Sequence, residues 1–175
     1  MKRLIHSFTD LLLALLVGLP VGAAVAAGVI FGVSREQGFP KHIANTLAGT
    51  MFERLGWPVA LAACLAALGC LFAAHQPPVG VIPARGTRLA WKAMGGLALL
   101  LPACALATQL HFAPLMHDLR LHSRWEDGAL VDPAEQAAFS RAHGLSMAVG
   151  MLGPGAAALL VLGRRLFAPL PVARA

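Results

Sequence analysis

A group of polar and small residues lies where a charged segment becomes continuously apolar, and its spacing could support chemistry. Its members follow one another at intervals of four, three and four residues: Phe139, His143, Ser146 and Gly150. These intervals place them on one face of a helix. In lipid, a serine can bond across a helix pair and a glycine lets two helices approach closely. We interpret the group as a packing seam, with a ligand or proton site as the alternative.

A second pair, His6 and Asp10, lies one helical turn apart at the start of the first apolar segment. An ionisable group inside a membrane span is costly and often functional. Asp10 lies at the edge of the segment, however, in an early turn where a carboxylate suits the helix dipole. We expect a capping pair at the membrane surface. The alternative is that His6 is an axial haem ligand or a proton carrier.

The stretch HFAPLMHDLRLH contains three histidines, His111, His117 and His122. Imidazole suits zinc and copper. The intervals of six and five do not put two rings on one helix face, and Pro114 disrupts the local helix. Metal binding here is therefore the weaker interpretation. Arg120 of the same stretch is expected to pair with an acid on its own side of the membrane, such as Glu126 or Glu135.

The elements that position these residues follow from composition. The chain has 175 residues, of which 58% are hydrophobic and 13% are charged, with a mean hydropathy of +0.70. Soluble domains carry about 25% charged residues, so the composition predicts a protein embedded in lipid. The net charge of +6 does not indicate nucleic-acid binding, because the basic residues flank apolar runs and form no run with interleaved aromatics.

Four charge-free runs have the length of membrane spans, about 17 to 25 residues: 11–33, 57–74, 93–110 and 144–163. Backbone groups in lipid must bond internally, so each run should be helical. The sequence predicts a single all-α domain over residues 1–175, an integral membrane four-helix bundle.

Two helical segments are predicted outside these runs. Apolar residues recur every fourth position over 43–55, which indicates a short interfacial helix between the first two spans. The order Asp132, Pro133 and Glu135 matches an N-cap, a proline at the first helical position and an acid at the third. The last helix should therefore begin near residue 133, well before its apolar run.

The basic residues predict an orientation. One side of the four spans would hold eight lysines and arginines and the other side six. By the positive-inside rule, both termini are expected in the cytoplasm of a bacterium, with the chain in the inner membrane.

Four segments in order resemble the transmembrane protein 205-like family of unknown function: AAGVIF, AGTMFERLGW, FAPLMHDLR and FSRAHGLS. The resemblance rests on an F-x-x-x-H-G-x-S pattern at Phe139 to Ser146 and a P-x-x-x-x-x-R pattern at Pro114 to Arg120. It implies four spans and no settled activity, and it hints at metal or amphiphile tolerance. Gly28 and Gly150 stand where the family often has Pro and Asn.

No nucleophile motif, phosphate loop or paired carboxylate points to an enzyme. The first hypothesis is therefore a non-enzymatic module that binds a small ligand or a partner between the last two spans, through Arg120, His143 and Ser146. No cofactor is predicted. The alternative is a haem-binding redox protein resembling HemJ-type protoporphyrinogen oxidase or the copper-resistance membrane domain, with His6 and Lys92 at the haem.

A third hypothesis is a metal or drug transporter. Because four spans form a poor pathway by themselves, transport would require a homo-oligomer. Gly18 and Gly22, spaced GxxxG, could form its helix contact. Beyond the lipid bilayer, the partners and the ligand are not specified by these residues.

Overall fold

The computed structural model describes residues 2–75, 85–126 and 128–166, which are helical except for short connections. The elements are α1 (Lys2–Glu36), α2 (Lys41–His75), α3 (Arg85–Ala98), α4 (Leu100–Ala107), a π-helical turn (Thr108–Phe112), α5 (Ala113–His122), β1 (Trp125–Glu126), β2 (Ala129–Leu130) and α6 (Pro133–Leu166). The prediction of an all-α chain is confirmed for these residues, with a minimal hairpin of two-residue strands as the exception.

Four helical segments of the described chain are long and apolar enough to cross a membrane: Leu4–Glu36, Lys41–His75, Leu89–His122 and Pro133–Arg164. Each contains one of the predicted apolar runs and extends beyond it. The 35 residues of α1 correspond to about 52 Å at 1.5 Å per residue, against a hydrocarbon core about 30 Å thick. The four helices fit a multi-pass membrane protein, and α1 is longer than the hydrocarbon core is thick.

The helices contact one another as neighbours around a ring. α1 packs against α2 and α6, while α3 and α4, which belong to the third long segment, pack against both α2 and α6. The group of packed helices therefore has two ends, which are named by what lies at each. We call the end that holds the α1–α2 turn and the β-hairpin the hairpin end. The opposite end, where α1 begins and α6 ends, is the terminal end.

The largest buried apolar cluster lies toward the terminal end. It includes Leu13, Ala66, Leu101 and Leu160, one from each long helical segment, and all four are at most 2% exposed. α2 contributes mainly alanines, because small side chains let neighbouring helices approach closely.

Residues 43–55 are helical, but they do not form a separate helix. They are the first turns of α2, which continues to His75 with Pro58 inside it. The predicted apolar stripe does not face the interior: Leu47 is 54% exposed, whereas Ala44 and Ala48 are buried. The periodicity predicted a helix here, and the buried side chains of its first turns are alanines rather than members of the stripe.

A glycine cap turns the chain from α1 into α2. Gly38 adopts a left-handed conformation at φ 69°. The Phe39 N–H donates to the Ser34 carbonyl at 2.9 Å, which is the long bond of a Schellman motif. Pro40 follows at once, so the helix cannot continue.

The third long segment is irregular at two prolines. A turn at Leu99 separates α3 from α4, three residues before Pro102, and the π-helical turn precedes Pro114. A proline ring displaces the carbonyl four residues earlier, and here the Ala113 N–H bonds to the Thr108 carbonyl, five residues back. The widened turn carries the buried Gln109.

α6 begins at Pro133, and the Asp132 carboxylate accepts a hydrogen bond from the Ala134 N–H at 2.7 Å. Just before it, the β-hairpin pairs Trp125 with Leu130 and Glu126 with Ala129. The Gln136 side chain accepts a bond from the Leu130 N–H at 2.8 Å. The hairpin is thereby fixed to the first turn of α6.

Candidate functional site

An ion pair joins α2 to α5 at the hairpin end. Arg120 Nη2 lies 2.9 Å from Glu53 Oε1, and the two side chains are 16% and 27% exposed. Arg120 Nε also donates to the Met116 carbonyl at 3.1 Å. The expected partners Glu126 and Glu135 were wrong: Glu126 pairs with the exposed Arg124 instead. Glu53 lies on the predicted side of the membrane but on another helix.

The Arg120 guanidinium lies directly on the backbone of α2. A Cβ added to Gly49 would be 1.5 Å from Arg120 Nη1. Seven residues further along α2, a Cβ on Gly56 would be 1.6 Å from Nε2 of the buried Gln109. Gly49 and Gly56 lie on the same face of α2, two helical turns apart, and they let two polar side chains of the third segment approach this helix. The result is a polar seam that runs from the hairpin end toward the middle of the molecule.

A small open cavity lies at the outer end of this seam. Its volume is about 240 Å³, and it is lined by His42, Asn45, Thr46, Arg120 and Trp125. The Thr46 hydroxyl donates to the His42 carbonyl at 2.8 Å, which orients this wall. The wall offers imidazole, amide and hydroxyl groups beside an indole ring. These groups can hold a polar ligand with an apolar part.

Among the described residues, no hydrogen bond or ion pair joins the predicted trio of Arg120, His143 and Ser146. Arg120 turns to α2, whereas the His143 ring stacks on Phe139 of its own helix, with centroids 6.2 Å apart. The His143 residue is exposed and Ser146 is half-buried, and the expected binding site between the last two spans stays a prediction. Phe139 meets Trp125 edge-on at 5.4 Å. An aromatic row therefore runs from the cavity to His143.

The three histidines of the third segment have separate partners. His117 Nδ1 lies 3.3 Å from Glu53 Oε2, and His122 Nδ1 lies 2.8 Å from Asp118 Oδ1. His111 meets the Phe112 ring edge-on. Within the described ranges, no group of three or more His, Cys, Asp or Glu residues could hold a metal ion. His117 thus places an imidazole close to the Glu53–Arg120 ion pair.

His6 and Asp10 meet a residue that their spacing did not reveal. Arg164 of α6 donates from Nε to Asp10 Oδ1 at 2.8 Å, and its Nη2 lies 3.2 Å from His6 Nδ1. The pair is thus more than a cap, because it joins the first and last helices at the terminal end. The available signal was the position of Arg164 directly after the last apolar run, on the same predicted side as His6.

Four residues that line the hairpin-end cavity were not predicted: Trp125, which lies in β1, and three residues of α2. Asn45 and Thr46 lie within the segment 43–55 predicted as an interfacial helix, and His42 directly precedes it. Asn45 lies four residues before Gly49 and Thr46 lies three residues before it. These positions match no recognisable motif. Only the packing of α5 on Gly49 reveals that they face Arg120 across the cavity.

Comparison of the chain with protein-family models, with curated proteins and with solved structures finds no match. The resemblance to the transmembrane protein 205-like family therefore stays a prediction.

Proposed function

We propose that the chain is a non-enzymatic, multi-pass membrane module that binds the polar, uncharged head of a small amphiphile in the hairpin-end cavity. The observation that carries this proposal is the cavity wall itself: Asn45, Thr46 and His42 on one side and the Trp125 ring on the other. Amide and hydroxyl groups bind neutral polar groups, and an indole covers an apolar part.

The charges of the wall favour an uncharged head. Arg120 is the one permanently charged side chain among the described residues that line the cavity. Glu53, at 2.9 Å, already balances it. A strongly anionic ligand would have to compete with Glu53, whereas a neutral ligand leaves the ion pair intact. A volume of about 240 Å³ is below the range of about 300 to 1,000 Å³ that is typical of ligand pockets, which suits a head group rather than a whole drug-sized molecule.

The surroundings of the cavity suit the apolar tail. Helix faces near this end expose large aliphatic side chains, and Leu47 is one of them at 54% exposure. A tail could lie along such a face in the lipid while the head occupies the cavity. Amphiphile binding also agrees with the tolerance function at which the family resemblance hints. A role in tolerance, whether of metals or of amphiphiles, stays a prediction.

The test is to purify the full chain from its membranes in mild detergent and identify co-purifying small molecules by mass spectrometry. We expect a molecule whose amount per protein falls about five-fold in Thr46→Val, the effect of losing one hydrogen bond. Thr50→Val is the matched control. Thr50 lies one turn further on α2 and makes the same bond to a carbonyl four residues back, and it does not line the cavity. Equal occupancy in both variants would contradict the proposal.

The orientation is part of the proposal. We place the chain in a bacterial inner membrane with its terminal end on the cytoplasmic side, because eight basic residues are assigned to that side and six to the other. A reporter active only in the cytoplasm should work when fused to Ala175 and fail when inserted beside Gly128. The reverse pattern would refute this orientation.

The haem alternative makes its own prediction. It requires His6 as an axial ligand, but His6 Nδ1 lies 3.2 Å from Arg164. A Soret band in the purified full chain that disappears in His6→Ala would favour this alternative over ligand binding at the hairpin end. A transporter would instead be revealed by altered copper, zinc or platinum sensitivity of cells that lack the gene.

A further inference from the structure

Arg164 is a buried cation at the end of α6 that holds two groups of α1. Its side chain is only 9% exposed, although Asp10, its partner, is 54% exposed. Nε donates to Asp10 Oδ1 at 2.8 Å, and Nη2 lies 3.2 Å from His6 Nδ1 and 3.4 Å from the His6 carbonyl oxygen. One guanidinium thus joins residues 154 and 158 positions away in the sequence.

The contact defines the protonation state of His6. A guanidinium can only donate hydrogen bonds, so Nδ1 must accept. An accepting Nδ1 carries no proton, and the ring is therefore neutral with its proton on Nε2. Uptake of a second proton would remove this acceptor and place another positive charge 3.2 Å from Arg164. The His6–Arg164 contact and protonation of Nδ1 are mutually exclusive.

The remaining part of the guanidinium is not satisfied. Arg164 Nη1 is buried and has no hydrogen-bond partner within the described part of the chain. The thiol of Cys70, a buried residue of α2, lies beside the guanidinium. A buried unpaired donor costs free energy, so Arg164 depends on His6 and Asp10 to stay in place. Among the described residues, Arg164 and Asp10 are the charged groups that lie close enough to the His6 ring to interact with it electrostatically.

We propose that His6, Asp10 and Arg164 form a proton-binding site that couples α1 to α6 at the terminal end. A proton from solvent binds His6 Nδ1, the Arg164 Nη2 contact breaks, and Arg164 keeps Asp10 alone. The exposed Asp10 gives water access to the site. The site lies at the opposite end from the hairpin-end cavity, and it does not depend on ligand binding there.

The experiment measures thermal unfolding of the full chain in nanodiscs between about pH 8 and pH 5, a range around the ordinary imidazole midpoint of about 6.5. Protonation of His6 Nδ1 breaks a contact with Arg164 that only the folded chain makes, so stability falls as the pH falls. We expect a decrease of about 3 °C in the midpoint, the scale of one lost hydrogen bond in a chain of this length. His6→Asn, which keeps an acceptor near Nδ1 and cannot be protonated, should lack that decrease.

The matched control is His143→Asn, because His143 is an exposed histidine stacked on an aromatic ring rather than bonded to a cation. It should keep the full decrease. A His6→Asn variant that keeps the same pH dependence as the parent would overturn the proposal. A second measurement does not depend on stability: nitrogen NMR at pH 8 should find His6 with its proton on Nε2, and a proton on Nδ1 would also overturn it.

Discussion

Glu53 on α2 and Arg120 on α5 form an ion pair at 2.9 Å across the hairpin end, and both side chains are mostly buried. The pair does two things. It holds the third long segment against the Gly49 backbone, and it neutralises Arg120, the one permanent charge among the described residues that line the cavity. His117 approaches the same carboxylate at 3.3 Å from solvent. The stability of the hairpin end should therefore depend on this carboxylate more than on any surface pair nearby.

Replacing Arg120 with Gln should lower the free energy of unfolding by about 2 kcal/mol, because Glu53 is then left partly buried without its cation. Glu53→Gln should cost a similar amount. The double variant should cost less than the sum of the two, and thermal unfolding in detergent measures this coupling. Arg124→Gln is the control, since the Arg124–Glu126 pair is 78% and 59% exposed and should contribute almost nothing. Strict additivity of the two single losses would refute an energetic role for the pair.

Gly56→Ala should destabilise the packing of α2 on the third segment. The new Cβ would lie 1.6 Å from Gln109 Nε2 and 2.2 Å from Cδ, so the buried amide must move. We expect a loss of about 1 to 3 kcal/mol, the range for overpacking. Shortening the obstructing side chain in Gly56→Ala/Gln109→Ala should restore part of it.

The control for this prediction is Gly155→Ala in α6, where an added Cβ meets nothing within 4 Å. It should be neutral or stabilising, because alanine favours a helix over glycine. Equal effects at both positions would show that Gln109 does not rest on Gly56.

The number of long apolar helices and the start of α6 were predictable because they depend on local properties, whereas the other helix limits were not. A run such as 57–74 identifies itself by hydropathy, and the Asp132–Pro133 cap identifies a helix start by its own residues. The contacts that build the sites are not local. Asp10 and Arg164 are 154 positions apart. Their shared predicted side narrows the choice of partners for Asp10, but it does not single out Arg164.

The prediction at His143 has the same limit. Spacing placed His143 on a helix face with Ser146, and that part follows from helix geometry alone. Which neighbour covers that face depends on how α6 is rotated in the molecule. Arg120 pairs with α2, so the third segment does not present it to His143. Alanines and glycines determine how each helix is rotated, because they form the faces that pack closely. The spacing of large apolar residues does not reveal these faces.

The cap of α6 gives a prediction about a single hydrogen bond. Asp132→Ala removes the acceptor for the Ala134 N–H, now at 2.7 Å, and should cost about 1 kcal/mol. Asp132→Asn should retain most of the stability, since its side-chain oxygen can still accept. Asp118→Ala, a change at an exposed carboxylate away from a helix start, should cost less. Equal losses in the Asn and Ala variants would show that the charge at this position, rather than the bond, is what matters.

Gly38 and Gly128 test the two turns that build the hairpin end. Both adopt left-handed conformations, at φ 69° and 81°, which cost an L-residue about 1 to 2 kcal/mol. An added Cβ meets nothing within 4 Å at Gly38, but at Gly128 it would lie 2.8 Å from the Lys41 Cβ. Gly128→Ala should therefore destabilise the chain more than Gly38→Ala.

Asparagine separates the two causes at these turns. It tolerates the left-handed conformation, so Gly38→Asn should recover much of the loss seen with alanine, as measured by thermal unfolding. Gly128→Asn should recover less, because its Cβ still meets Lys41. If asparagine rescued both positions equally, backbone conformation alone would explain the hairpin turn, and the contact between the hairpin and the start of α2 would contribute no stability.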